Sequence, residues 1–229
     1  MFAATVLVGG AVVWILSHRL EFQKEINENL RNQLEPVRSV RTVVPAKAVK
    51  YRAMIKLIHV QTNLSLHSHK RNYPHSQSSG QQQVTAFAGS NDDDYWTVKG
   101  AHNYGEMYNN GEPVQHGEII RLEHITTRKN LHSHRDGSSP MSHQQEVTAF
   151  GQDGIGDTND NWKVDLDGGG IWLEGTKVRL IHVATDAALH SHSGYNLPEW
   201  GFYQQEVTCY GDRNQDDWWR AAIHRDAKV

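Results

Sequence analysis

The chain has 229 residues, 38% of them hydrophobic and 21% charged, with a formal net charge of -3 at pH 7. That length suits one good-sized domain with some chain left over, and the near-neutral balance argues against a surface that binds nucleic acid by bulk electrostatics. Cys209 is the single cysteine, which excludes an intrachain disulfide and a multi-thiolate zinc site and leaves the thiol as a small hydrophobe in a strand-like run.

Residues 2–16 carry no charge (FAATVLVGGAVVWIL). A helix rising ~1.5 Å per residue over that stretch falls somewhat short of a ~30 Å hydrocarbon core, and Ser17 and His18 bring it nearer. The expectation is a single-pass anchor over residues 1–18 that meets the membrane through residues 2–17. A cleaved signal is the rival, but no Lys or Arg precedes the stretch and no A-x-A-like site follows Leu16. Residues 19–48 read as helical stalk and linker: Leu20, Ile26, Leu30 and Leu34 fall along one narrow stripe, and Pro36 supplies a stop. Arg19, Lys24 and Arg31 follow the apolar segment, which by the positive-inside rule alone leans toward a cytoplasmic or matrix-like domain.

From residue 49 to 229 one pattern occurs three times, over about 49–104, 112–168 and 171–227. Each copy opens with alternation in which one face reads apolar, apolar, histidine: Ile55, Leu57, His59; Ile120, Leu122, His124; Val178, Leu180, His182. That face is the expected core. A polar turn leads into Leu-His-Ser-His blocks starting at Leu66, Leu131 and Leu189, and a third strand follows at Val84, Val147 or Val207. The fourth strand brings in Trp96, Trp162 or Trp219, each two residues after an aspartate (Asp94, Asp160, Asp217) that favours a turn. Four short strands in three copies give roughly twelve strands. A four-strand unit cannot bury its own apolar face, so the copies are expected to close around a pseudo-three-fold axis as an all-β trefoil.

The triplicated L-x-H-x-x-T, LHSH, QQEVT and D-x-W pattern over about Lys50 to Ile223 resembles the MIR domain. That domain is shared by protein O-mannosyltransferases, stromal-cell-derived-factor-2-like proteins, and inositol trisphosphate and ryanodine receptors. The LHSH and QQEVT blocks look most like the first two branches. The resemblance implies a β-trefoil and a non-catalytic module without cofactor, since the mannosyltransferases keep their catalytic acidic residues outside the MIR domain. It implies a lumen-facing place in the endoplasmic reticulum, with a chaperone or mannosyltransferase as partner. A structural accessory subunit of a large membrane complex, docked by anchor and stalk in a mitochondrial or other organellar inner membrane, is the alternative; a sugar-binding trefoil is another.

The His-x-His pairs (His67/His69, His132/His134, His190/His192) have a spacing that can chelate metal, but no carboxylate or thiolate repeats beside them in sequence. The preferred expectation is that they pin turns by hydrogen bonding to backbone, and that His59, His124 and His182 are satisfied core histidines. No G-x-S-x-G elbow or phosphate-cradling loop is present, and the carboxylate-rich stretch Asp153–Asp160 does not match the EF-hand register. Symmetric residues build the fold, so recognition of a glycan or peptide is expected at unrepeated loop aromatics: Tyr73, Tyr195, Trp200 and Tyr203. Asn63-Leu64-Ser65 is the sole N-glycosylation sequon.

Overall fold

The computed structural model describes Glu21, Lys24, Glu25 and Glu28, together with residues 47–76, 78–102 and 111–224. The expected anchor over residues 1–18 lies outside the described residues. Of the expected stalk, the four described residues have helical backbone and are exposed. Among the described residues no helix is long and apolar enough to cross a membrane. The chain divides into two compact units, 1–45 and 46–229, and the second carries all the strands described here.

The first repeat forms β1 (Met54–His59), β2 (Ser65–Asn72), β3 (Gln82–Phe87) and β4 (Trp96–Gly100). The second forms β5 (Ile119–His124), β6 (Asn130–Ser138), β7 (Gln145–Phe150) and β8 (Trp162–Leu166). The third forms β9 (Lys177–His182), β10 (Ala188–His190), β11 (Gln205–Glu206), β12 (Thr208–Tyr210) and β13 (Trp219–Ile223). Among the described residues thirteen strands thus replace the expected twelve, because the third strand of the last repeat is interrupted at Val207.

First and fourth strands close a six-strand antiparallel ring in the order β1, β4, β5, β8, β9, β13 and back to β1. A closed ring leaves no free edge to aggregate. The second and third strands form three hairpins that cap one end of it. Their third strands are woven together: the first half of β3 pairs with the end of β7, the second half with β11, and the start of β7 with β12. Val84, Val147 and Val207 sit at the middle of these three strands, and all are wholly buried. The interruption at Val207 marks where one strand passes from one neighbour to the other.

The predicted face fills the ring: Ile55, Leu57, Ile120, Leu122, Val178 and Leu180 are fully buried, as are Leu66, Leu131 and Leu189 beneath them. A buried indole needs a partner for its N–H. Nε1 of Trp96, Trp162 and Trp219 donates to the carbonyl of Leu66 (3.1 Å), Leu131 (2.9 Å) and Leu189 (3.0 Å), tying each fourth strand to its own second strand. Replacing Trp162 by Ala removes this wholly buried ring and its bond to Leu131 O, for a predicted loss of about 3–5 kcal/mol in urea unfolding. A loss below about 1 kcal/mol would show that the tryptophans do not close the repeats.

Candidate functional site

The three core histidines are bonded at both ring nitrogens. Nδ1 of His59, His124 and His182 meets the hydroxyl of Thr62 (2.8 Å), Thr127 (2.9 Å) and Thr185 (2.8 Å). Nε2 meets a main-chain carbonyl of the preceding repeat in the cycle: Asp216 (2.8 Å), Asp93 (2.9 Å) and Asn159 (3.0 Å). A carbonyl can only accept, so Nε2 carries the hydrogen and Nδ1 accepts from threonine. Each repeat is thereby stapled to the one before it. Burial lowers the pKa of all three, to about 4 for His182.

The carbonyls come from three short 3₁₀ turns, Asp92–Asp94, Thr158–Asp160 and Gln215–Asp217, held by a second set of histidines. Nδ1 of His67, His132 and His190 lies 2.8 Å from Oδ1 of Asp94, Asp160 and Asp217, all of them buried. The other oxygen of each aspartate accepts the N–H of the turn's capping residue, Asn91, Asp157 or Asn214. This corrects the expectation that these histidines pin their turns by bonding to backbone: the partner is a carboxylate 27 or 28 residues downstream in every repeat. Burial pushes the Asp94 carboxyl up, but the bonds from His67, Lys56 and the Asn91 N–H together hold it below its ordinary value. In the middle repeat His132, Asp157 and Asp160 bring three donor atoms within 4.8 Å of one another. Asp160 is already shared by His132 and Asn130, and Asp157 caps the N–H of Asn159, so the group acts as a turn latch.

The QQEVT block makes a third cyclic frame. The threonines Thr85, Thr148 and Thr208 donate to the amide oxygens of Gln204, Gln81 and Gln144, each from a neighbouring repeat. Gln82, Gln145 and Gln205 donate to Ser68, Ser133 and Ser191 of the LHSH blocks. The repeated polar residues are thus engaged with one another.

Symmetry fails at one junction. Glu206 accepts the N–H groups of Met141 (2.9 Å) and Ser142 (3.0 Å), clamping the loop of the second repeat, and Glu146 accepts from Ser79 (3.3 Å) in the loop of the first. The equivalent residue facing the third repeat is Gln83. It turns back to donate to its own hairpin at Asn72 O, and its Oε1 is buried without a partner. The corresponding amides, Gly201 and Phe202, bond instead within a 3₁₀ turn at Glu199–Gly201, to Pro198 O and Glu199 O. Phe202 and Tyr203 then both adopt positive φ (57° each), a costly conformation for aromatic residues. Tyr203 shares that conformation with its counterparts Gly80 and His143, whereas Phe202 adds to it.

An open depression of ≈ 640 Å³ lies at this unlatched junction, lined by Arg71, Pro198, Glu199, Trp200 and Phe202. The Arg71 guanidinium stacks 4.5 Å from the exposed Phe202 ring, and the edge of His69 meets the same ring at 5.2 Å. Of the four expected recognition residues, Trp200 lines the depression. Tyr203 is 68% exposed on the same loop, and Tyr195 is 38% exposed with its ring against His192 at 4.5 Å. Tyr73 differs from expectation: it is buried, its hydroxyl donates to Val84 O at 2.9 Å, and it supports Trp200 from beneath at 6.2 Å. Arg71 and Phe202 were not singled out in the sequence. His134 and His192 are tilted against His132 and His190, at 5.6 and 5.0 Å, and His69 stands edge-on to His67 at 5.6 Å.

A six-strand ring capped by three hairpins and stapled by cyclic His, Asp and Gln contacts defines a β-trefoil of three like repeats. The family model of the MIR domain matches residues 95–220. A "Stromal cell-derived factor 2-like protein" of Dictyostelium discoideum is 43% identical over 180 residues, 77% of this chain and 82% of that protein. The crystal structure of the SDF2-like protein from Arabidopsis thaliana superposes with a TM-score of 0.70 at 39% identity, over 77% of this chain and 95% of that one. The S. cerevisiae protein O-mannosyltransferase Pmt1-Pmt2 complex bound to the sugar donor matches at 33% identity and a TM-score of 0.67, over 80% of this chain but 26% of that one. The chain belongs to the MIR domain family.

The depressed histidine pKa values fix the sign of a pH effect. Above the ordinary value of 6.5 the rings are neutral in both states and their contribution to stability is whole. As pH falls from 6.5 toward about 4, the unfolded chain takes up protons that the folded chain refuses, so stability drops, by up to about 1.4 kcal/mol per pH unit for each histidine. Urea midpoints are expected to decline steadily from about pH 7 to pH 5, less steeply in His182→Gln. A flat profile over that range would contradict the burial of these rings in their neutral form.

Proposed function

We propose that this chain is a non-catalytic MIR binding module facing the lumen of the endoplasmic reticulum. There it assists protein quality control or O-mannosylation, tethered by a single membrane pass at residues 2–17. Its likeness to a stromal-cell-derived-factor-2-like protein over nearly the whole trefoil, and to one segment of a mannosyltransferase, supports the class of function. The observation that carries the site is the single broken junction. Trp200 and Phe202 line the depression beside Arg71 and Glu199, which supply one charge of each sign, and Tyr203 stands exposed next to them in the loop. Such rings stack on a peptide or glycan while the charges fix its orientation, and exposed aromatic and arginine residues are the usual carriers of binding energy.

The test is purification of the full chain from its own membranes in mild detergent, beside a Trp200→Ala/Phe202→Ala variant. A chaperone or mannosyltransferase should co-purify at stoichiometric ratio with the parent and fall by roughly tenfold or more in the variant, as loss of an aromatic anchor costs about 2 kcal/mol. Undiminished recovery would remove the depression from the proposal. Recovery inside one large organellar assembly would replace the lumenal module by an accessory subunit.

A further inference from the structure

The turn joining β1 to β2 is built the same way in each repeat. Asn63, Arg128 and Asp186 occupy its left-handed position with φ of 57°, 58° and 54°. The N–H of each donates to the carbonyl of the preceding core histidine, from Asn63 to His59, Arg128 to His124 and Asp186 to His182, all at 2.9 Å. Two residues on, Ser65, Asn130 and Ala188 enter the second strand opposite Ile58, Glu123 and Ile181. The turn therefore accepts an amide, a guanidinium or a carboxylate at its left-handed position, and a hydroxyl, an amide or a methyl at the strand entry. The left-handed position suits an asparagine at 63, but the strand entry does not need a serine at 65, since Ala188 stands there in the third repeat; together Asn63 and Ser65 make the chain's one N-x-S sequon.

We infer that Asn63 is an N-glycosylation site, an assignment that rests on the lumenal placement proposed above. Asn63 is exposed at a hairpin tip, the kind of surface turn in which such acceptors stand. Its Oδ1 accepts a bond from Arg220 across the surface, and the structure gives Nδ2 no partner. In the transfer, Nδ2 attacks the anomeric carbon of a polyprenyl-diphosphate-linked oligosaccharide. The new N–C bond forms as the anomeric C–O bond breaks, the diphosphate leaves with the bonding pair, and Nδ2 gives up one proton. The product keeps an amide oxygen, so the Arg220 contact survives modification. β2 runs from Ser65 to Asn72, so Asn63 and Arg71 stand near opposite ends of the same strand, and a glycan at the tip leaves the Arg71–Phe202 depression open.

The internal repeats supply the control variants. Asn63→Asp copies Asp186 and retains an oxygen for Arg220, and Ser65→Ala copies Ala188, so both should fold. The full chain, carrying a C-terminal tag with its own sequon, is expressed in cells with a secretory pathway and treated with peptide N-glycanase. Two glycan-sized mobility steps are expected for the parent, and one for either variant. One step for the parent, from the tag alone, would overturn the Asn63 assignment while leaving the lumenal placement intact. No step at all would overturn both, because neither sequon then met the lumenal enzyme. Two steps persisting in Asn63→Asp would place the modification elsewhere and also overturn the assignment.

Discussion

A histidine buried between two repeats has two nitrogens and no water, and much of the polar architecture follows from that constraint. Nε2–H of His59, His124 and His182 must find an acceptor, and it finds one on the neighbouring repeat rather than its own. That acceptor is a turn carbonyl, so the turn must be held in place. The buried aspartate at its end does this, gripped by the LHSH histidine on one oxygen and by the turn's own capping N–H on the other. His67 therefore fixes Asp94, the turn presents Asp93 O, and that carbonyl receives His124, after which the circuit moves one repeat on. Three copies are the number that lets such a circuit close.

The apolar terms act on the same geometry. Each tryptophan lies two residues beyond the latching aspartate, so the turn that presents the carbonyl also sets the entry of the indole. The core histidine then packs against that ring, at 4.9 to 5.1 Å between centroids. Loss of either the staple or the indole disturbs the other, because they share one short turn. The woven third strands add a second, independent closure, with main-chain pairing between all three hairpins and the Thr–Gln ring across them. Networks of this kind are strong only when every member is satisfied, and the repetition of each partner in all three copies satisfies them together.

Much of this was legible in the sequence because repetition is an internal alignment. The apolar-apolar-histidine face, the LHSH leucines and the closing tryptophans fall where the period-2 pattern places them, and the closure of three units follows from their inability to bury a face alone. The His–Asp pairing was written in the sequence too, as a constant offset of 27 or 28 residues, but a search for neighbouring ligands along the chain looks only a few positions away. The residues of the open loop were partly legible for the converse reason. An unrepeated aromatic is conspicuous by its lack of counterparts, which picks out Trp200 and Tyr203, but the same criterion admits Tyr73, whose ring turned inward to support Trp200. Arg71 escaped notice because an arginine at a strand end has no periodicity; its significance comes from Phe202, brought against it by a loop 129 to 131 residues away.

The broken junction sets one loop of the trefoil apart from its two counterparts. At two junctions a buried glutamate clamps the adjoining loop by its main-chain amides, which ties that loop's position to the frame. At the third, a neutral glutamine stands in the same place and gives its donor to its own hairpin. A glutamine side-chain oxygen carries no net charge to draw two amides, and the loop answers by folding a 3₁₀ turn that satisfies those amides internally. Without the clamp, the loop exposes Phe202 and Tyr203 beside a half-buried Trp200, at the expense of one left-handed residue, Phe202, beyond the one that its counterparts share. Strain of that kind persists only where the surroundings over-determine it, and here the Arg71 stack and the Tyr73 support hold it from both sides. The one junction that carries an amide where the other two carry a carboxylate is thus also the one whose loop amides bond within their own turn.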